Sequence, residues 1–79
     1  MKVEKNIQLT TGTFSWKDIR SGELHRKGEP IPGFQLRDAP MYERAVLIVH
    51  MEDGSDRVSE GEEAAGDAEV LRLAGVPVA

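Results

Sequence analysis

Residues 59–77 read SEGEEAAGDAEVLRLAGVP, and the way they fold decides what the rest of the chain packs against. Ser59-Glu60-Gly61-Glu62 matches a capping box. In that motif the serine oxygen accepts from the third helical N–H, and the glutamate reaches back to the serine N–H. Glu60, Glu62 and Glu63 complement the positive end of a helix dipole, and Arg72 complements the negative end. Gly75 stands where a left-handed C-terminal cap favours glycine, with Val76 as its apolar contact and Pro77 beyond. Ala64, Ala68, Leu71 and Gly75 follow 4-3-4 spacing, and Val70, Leu73 and Ala74 widen the stripe. The spacing predicts a helix from about 60 to 74, weakened by roughly 1 kcal/mol at each of Gly61 and Gly66. Asp67 and Glu69 are read onto its solvated face.

Upstream, Ala45-Val46-Leu47-Ile48-Val49 within RAVLIVHM is short and rich in β-branched residues, as a buried central strand is. Glu52-Asp53-Gly54-Ser55-Asp56 ends it in an Asp-Gly turn, and Arg57-Val58 returns briefly as a strand. Near the start, Val3, Ile7 and Leu9 alternate, Thr11-Gly12 reads as a turn, and Phe14 and Trp16 alternate again, which predicts a hairpin. Residues 15–22 also admit a short helix capped by Ser15, with Asp18 at its third position and Gly22 beyond its end. Residues 21–33, SGELHRKGEPIPG, are the most loop-like, with Pro30-Ile31-Pro32 as an extended edge or a bare loop. Phe34-Gln35-Leu36 starts a further strand that Asp38-Ala39-Pro40 breaks.

These elements define an α+β fold: a three- to four-stranded, mostly antiparallel sheet packed against one C-terminal helix. Seventy-nine residues allow a single compact domain, 1–79, with sheet and loops over 1–58 and the helix over 59–75. The expected core is Ile7, Leu9, Phe14, Trp16, Phe34, Leu36, Val46, Ile48, Val70, Leu71 and Leu73. With no cysteine, the chain has neither a disulfide nor a thiolate ligand. No apolar run approaches the ~20 residues of a membrane span, and MKVEKNIQLT has no apolar signal region, so a cytoplasmic protein is expected.

The net charge of −4 is unevenly distributed. Residues 1–48 carry eight Lys/Arg and six Asp/Glu, a balance of +2; residues 49–79 carry two and eight, a balance of −6. The acidic part invites calcium, but an EF-hand count from Asp53 puts Arg57 at position 5 and Val58 at the glycine position. His50, Glu52, Asp53 and Asp56 lie close in sequence, yet no H-x-x-x-H spacing supplies a third metal ligand. Neither a G-x-S-x-G elbow nor a phosphate-cradling loop is present, so no catalytic residue, metal site or cofactor is assigned and no enzyme is expected.

The function expected is therefore non-catalytic protein binding by a small regulatory or inhibitory module. Glu52, Asp53, Asp56, Glu60, Glu62 and Glu63 form the candidate surface, with carboxylates imitating nucleic-acid phosphates toward a basic or nucleic-acid-binding partner. A short, acidic, cysteine-free chain without motifs resembles in profile, though in no family motif, phage-type inhibitors and antitoxin-like regulators. The alternative is a nucleic-acid-binding module using Trp16, Lys17, Arg20, Arg26 and Lys27, with Phe14 as a second stacking platform and His25 beside the cations. A homo-oligomeric structural subunit is the third reading.

Overall fold

A computed structural model describes residues 5–31, 33 and 40–79. The chain is an α+β fold of two antiparallel sheets packed against one C-terminal helix. β1 (Asn6–Leu9) and β2 (Gly12–Ser15) form a hairpin in which Ile7 faces Phe14 and Leu9 faces Gly12. A single 3-10 turn, Trp16–Asp18, leads into β3 (Ile19–His25). β4 (Val46–Met51) and β5 (Asp56–Glu60) complete a three-stranded sheet of order β3-β4-β5, and α1 (Glu62–Leu73) follows.

The central position of β4 agrees with its apolar, β-branched sequence. Its inward face differs from the expected one. Leu47, Val49 and Met51 are buried, whereas Val46 and Ile48 share the opposite, half-covered face with His50. On β3, Ile19 is in the core, a bulge between Ile19 and Ser21 shifts the alternation, and Gly22 then faces inward. The segment read as loop-like from residue 21 is therefore strand as far as His25. Gly22 suits this close approach, since a Cβ there would lie 3.1 Å from Leu71 Cδ1, a tight contact that the leucine end would have to relieve. Beyond β3 the chain runs out and back as a ladder, with Gly28 N–H donating to Tyr42, Tyr42 N–H to Glu29 and Ile31 N–H to Pro40. Pro30 bridges Met41 within that ladder, so its surroundings are extended. The expected strand at 34–36, with Phe34 and Leu36, and the Pro32 position lie outside the described residues.

The hairpin and α1 cover one face of the three-stranded sheet. Ile7, Leu9, Ile19, Leu47, Val49, Met51, Ala64, Ala68 and Leu71 form the buried cluster, and Phe14 is half-buried against it. Trp16 is 48% exposed: it opens the 3-10 turn, which ends the strand alternation at Ser15, so it does not share a strand face with Phe14. Val70 and Leu73, the latter 78% exposed, lie on the outer side of α1 and not in the core. The small residues Ala64 and Ala68, together with Leu71, bring the helix down onto the sheet.

Both helix ends carry a cap, and only the C-terminal one matches the sequence reading. Gly75 adopts φ +85°, its N–H donates to Arg72 and the Val76 N–H donates to Leu71, which is a Schellman motif. At the other end the helix begins at Glu62, after Gly61 in a conformation (φ 66°, ψ −139°) open only to glycine. Ser59 and Glu60 belong to β5, so the capping box does not form. The Ser59 side chain points into the interior, 6% exposed, and its Oγ has no hydrogen-bond partner. Glu62 and Glu63 do lie in the first turn, where the dipole favours them, and Arg72 lies in the last.

Asp67 corrects the sequence reading most sharply. It is not on the solvated face but only 4% exposed. Its carboxylate accepts from Thr10 N–H (3.1 Å) and from Thr10 Oγ1 (2.7 Å), tying α1 to the β1–β2 turn. That pairing answers the cost of burying a charge.

Candidate functional site

The face of the three-stranded sheet turned away from α1 carries a cluster of ionisable side chains linked by hydrogen bonds. Strand alternation places Ser21, Glu23 and His25 of β3 beside Val46, Ile48 and His50 of β4, with Asp56, Val58 and Glu60 of β5 beyond. His50 Nδ1 lies 2.8 Å from Asp56 Oδ1, and its Nε2 lies 2.8 Å from Glu23 Oε1. Each ring nitrogen thus faces a carboxylate, an arrangement that favours the doubly protonated ring. The Glu23 hydrogen bond first, and then that of Asp56, hold His50 above the usual histidine value. In return the bond to His50 first, and then the bond to His25, lower Glu23. His25 Nε2 is 3.2 Å from the other Glu23 oxygen, its Nδ1 is 3.4 Å from Glu29, and its ring stacks on Tyr42 at 4.7 Å. The result is a chain Asp56–His50–Glu23–His25–Glu29 across all three strands and onto the ladder beyond β3.

A cleft of about 330 Å³ lined by Arg20, Ser21, His50, Met51, Gly54 and Asp56 opens at one end of this row. It holds a serine, a histidine and an aspartate in adjacent cross-strand positions. Activating the serine would require Nε2 to accept the hydroxyl proton, and that nitrogen is engaged by Glu23. Among the described residues no group of three His, Asp or Glu side chains is placed to hold a metal ion.

The six acidic candidates fall at the two ends of β5. Glu52 and Asp53 occupy the β4–β5 turn, and Asp56 starts the strand. Glu60 ends it, and Glu62 and Glu63 open α1. The Asp56 and Glu60 positions are four rises apart, about 13 Å. Asp53 braces its turn by accepting from Ser55 Oγ (2.6 Å) and Ser55 N–H (2.8 Å), which holds its pKa below the ordinary aspartate value. Glu60 meets Arg44 only at 3.9 Å. The basic candidates are split too. Trp16 and Lys17 share the exposed 3-10 turn and Arg20 lies at the bulge, but Arg26 and Lys27 follow the far end of β3, about 20 Å from Arg20.

Sequence reasoning missed Glu23 and did not connect it to His50. The signal was the period-two row Ser21-x-Glu23-x-His25, hidden by reading Gly22 as a loop residue. No family model, curated protein or solved structure matches this chain.

Proposed function

We propose that this protein is a non-catalytic protein-binding module, regulatory or inhibitory in role, that meets a basic partner through the carboxylates at the two ends of β5. The observation that carries the reading is that arrangement. Glu52, Asp53, Asp56, Glu60, Glu62 and Glu63 are all exposed and bracket one strand, while the basic side chains among the described residues are dispersed. Six carboxylates against the single exposed cation of β5, Arg57, make the surface predominantly acidic, and such a surface raises the encounter rate with a basic partner and disfavours acidic ones. The His50 network is compatible with the same reading, since its ring nitrogens lie 2.8 Å from Asp56 and from Glu23 and tie these carboxylates into the sheet face.

The test compares the parent with a Glu52→Lys, Glu62→Lys variant as baits in host extract, read by mass spectrometry, with circular dichroism confirming that the variant is folded. The reading expects proteins held by the parent and released by the variant. An identical set on both baits would reject it.

A second reading is favoured by one observation, the exposed Trp16 indole beside Lys17. Such a pair offers a stacking platform with a phosphate contact for single-stranded nucleic acid. A gel shift with arbitrary DNA and RNA at low salt decides it, because phosphate contacts weaken steeply with salt. No shift at low salt would remove the reading.

A further inference from the structure

The two edges of the three-stranded sheet are treated differently. The outward groups of β3 are taken up by the chain's own residues 77–79: Gly22 N–H donates to Pro77, Leu24 N–H donates to Ala79, and Ala79 N–H donates back to Gly22. The edge of β5 has no such cover among the described residues. Its register shows which groups it offers. Met51 N–H bonds Ser55 and Gly61 N–H bonds Ala45, so the antiparallel alternation turns Arg57 and Ser59 toward β4. The N–H and C=O groups of Asp56, Val58 and Glu60 therefore face outward. The side chains of the same three residues lie on the open face of the sheet, and Val58 is 50% exposed between two carboxylates.

We infer that β5 is a docking edge for an extended partner segment with cationic, apolar and cationic side chains at alternate positions, added antiparallel as a fourth strand. Directly opposed residues on one face of a sheet attract when opposite in charge and repel when alike. A Lys or Arg opposite Asp56, a Val or Ile opposite Val58 and a second Lys or Arg opposite Glu60 satisfy that face. On the other face Arg57 calls for an acid, which gives Lys-Thr-Ile-Glu-Lys read from the position opposite Glu60. The ladder hydrogen bonds supply affinity and the alternate side chains supply specificity.

A second copy of this chain fits the edge poorly. A two-fold pairing centred on Val58 sets Asp56 against Glu60, one centred on Arg57 sets guanidinium against guanidinium, and one centred on Ser59 sets Val58 against Glu60. The same charges that admit a basic strand thus keep the edge from pairing with itself.

The inference rests on the protein-binding reading above and makes it specific. The test titrates the full chain with a ten-residue peptide centred on Lys-Thr-Ile-Glu-Lys and follows amide hydrogen exchange. The amides of Asp56, Val58 and Glu60 should slow, by about tenfold at a peptide concentration ten times Kd, while Arg57 and Ser59, already bonded inward, change little. Val58→Pro removes an outward N–H without touching the β4 ladder and should weaken binding by about tenfold. Glu60→Lys, at an exposed position, should weaken it similarly and favour a peptide carrying Glu in place of Lys. Unchanged exchange at the three amides, protection without alternation, equal binding of the Glu-substituted peptide by the parent, or full binding by Val58→Pro would each overturn the edge. The bait experiment fails or succeeds independently: charge-dependent capture with no slowed amides leaves the acidic surface standing and removes the strand addition.

Discussion

Replacing Ser59 by alanine separates two readings of the same residue by the sign of the effect. If Ser59 capped the helix, as its spacing to Glu62 suggests, Ser59→Ala would cost about 1 kcal/mol. In the structure Ser59 is instead a β5 residue opposite Leu47, buried, with Oγ lacking any partner. A hydroxyl removed from water and left unpaired costs about 1–3 kcal/mol, which alanine does not incur. The methyl group leaves a void of one oxygen atom, and the strand preference of serine over alanine is worth a few tenths of a kcal/mol at most. The net expectation is a gain near 1 kcal/mol. For a chain of this size that raises Tm by about 4–8 °C. Thermal melts followed by circular dichroism, paired with urea titrations to confirm an unchanged m-value, make the comparison. A Tm lowered by a similar amount would refute the unpaired hydroxyl and restore the capping box.

Asp67→Ala leaves Thr10 N–H and Oγ1 without their acceptor and should destabilise by about 2–3 kcal/mol in urea titration, while Asp67→Asn, which keeps one acceptor, should lose less; equal stability of Asp67→Ala and the parent would contradict the buried latch. Trp16→Ala should cost only about 1 kcal/mol because the indole is half exposed, and parent fluorescence should be readily quenched by iodide; a loss as large as that of a buried tryptophan would place the ring in the core after all. The Glu23–His50 pair gives a two-sided pH dependence. His50 is raised from 6.5, so its contribution is full below that value and is lost as pH rises through the folded-state value; Glu23 is lowered from 4.5, so its contribution is full above 4.5 and is lost as pH falls through its own folded-state value. Stability from the pair is therefore greatest between about pH 4.5 and 6.5 and declines as pH rises further through the His50 titration, and NMR titration of the His50 ring should show its midpoint falling in Glu23→Gln; the same midpoint in both proteins would dissolve the pair.

The parts of the fold legible in the sequence are those fixed by local rules. Gly75 with Val76 and Pro77 reads as a helix stop, and the backbone takes that form. The hairpin around Thr11-Gly12 and the central strand at 46–51 follow from alternation and β-branching. What escaped depends on tertiary choice. A run such as Ala45–Val49 is apolar on both alternations, so the pattern alone leaves the inward face open. His50 held the answer, since it shares parity with Val46 and Ile48 and marks their face as the open one. Asp67 stands three residues after Ala64 and four before Leu71, which is on the stripe by geometry; its polarity argued against the position its spacing demanded. The bulge at Arg20 breaks the period of β3, so no uniform alternation runs from Ile19 to His25. The candidate site suffered most, because Glu23 and His50 are 27 positions apart and only strand pairing makes them neighbours.

The β1–β2 hairpin belongs to a sheet of its own and shares no strand with β3-β4-β5. Two strands alone are at best marginal in water. Its place therefore depends on Ile7 and Leu9 resting on the core and on one carboxylate reaching the Thr10 turn. Like α1, it is held to the main sheet by side chains and not by a shared strand ladder. Loosening of the hairpin would therefore uncover part of the shared core while leaving the β3-β4-β5 ladder intact.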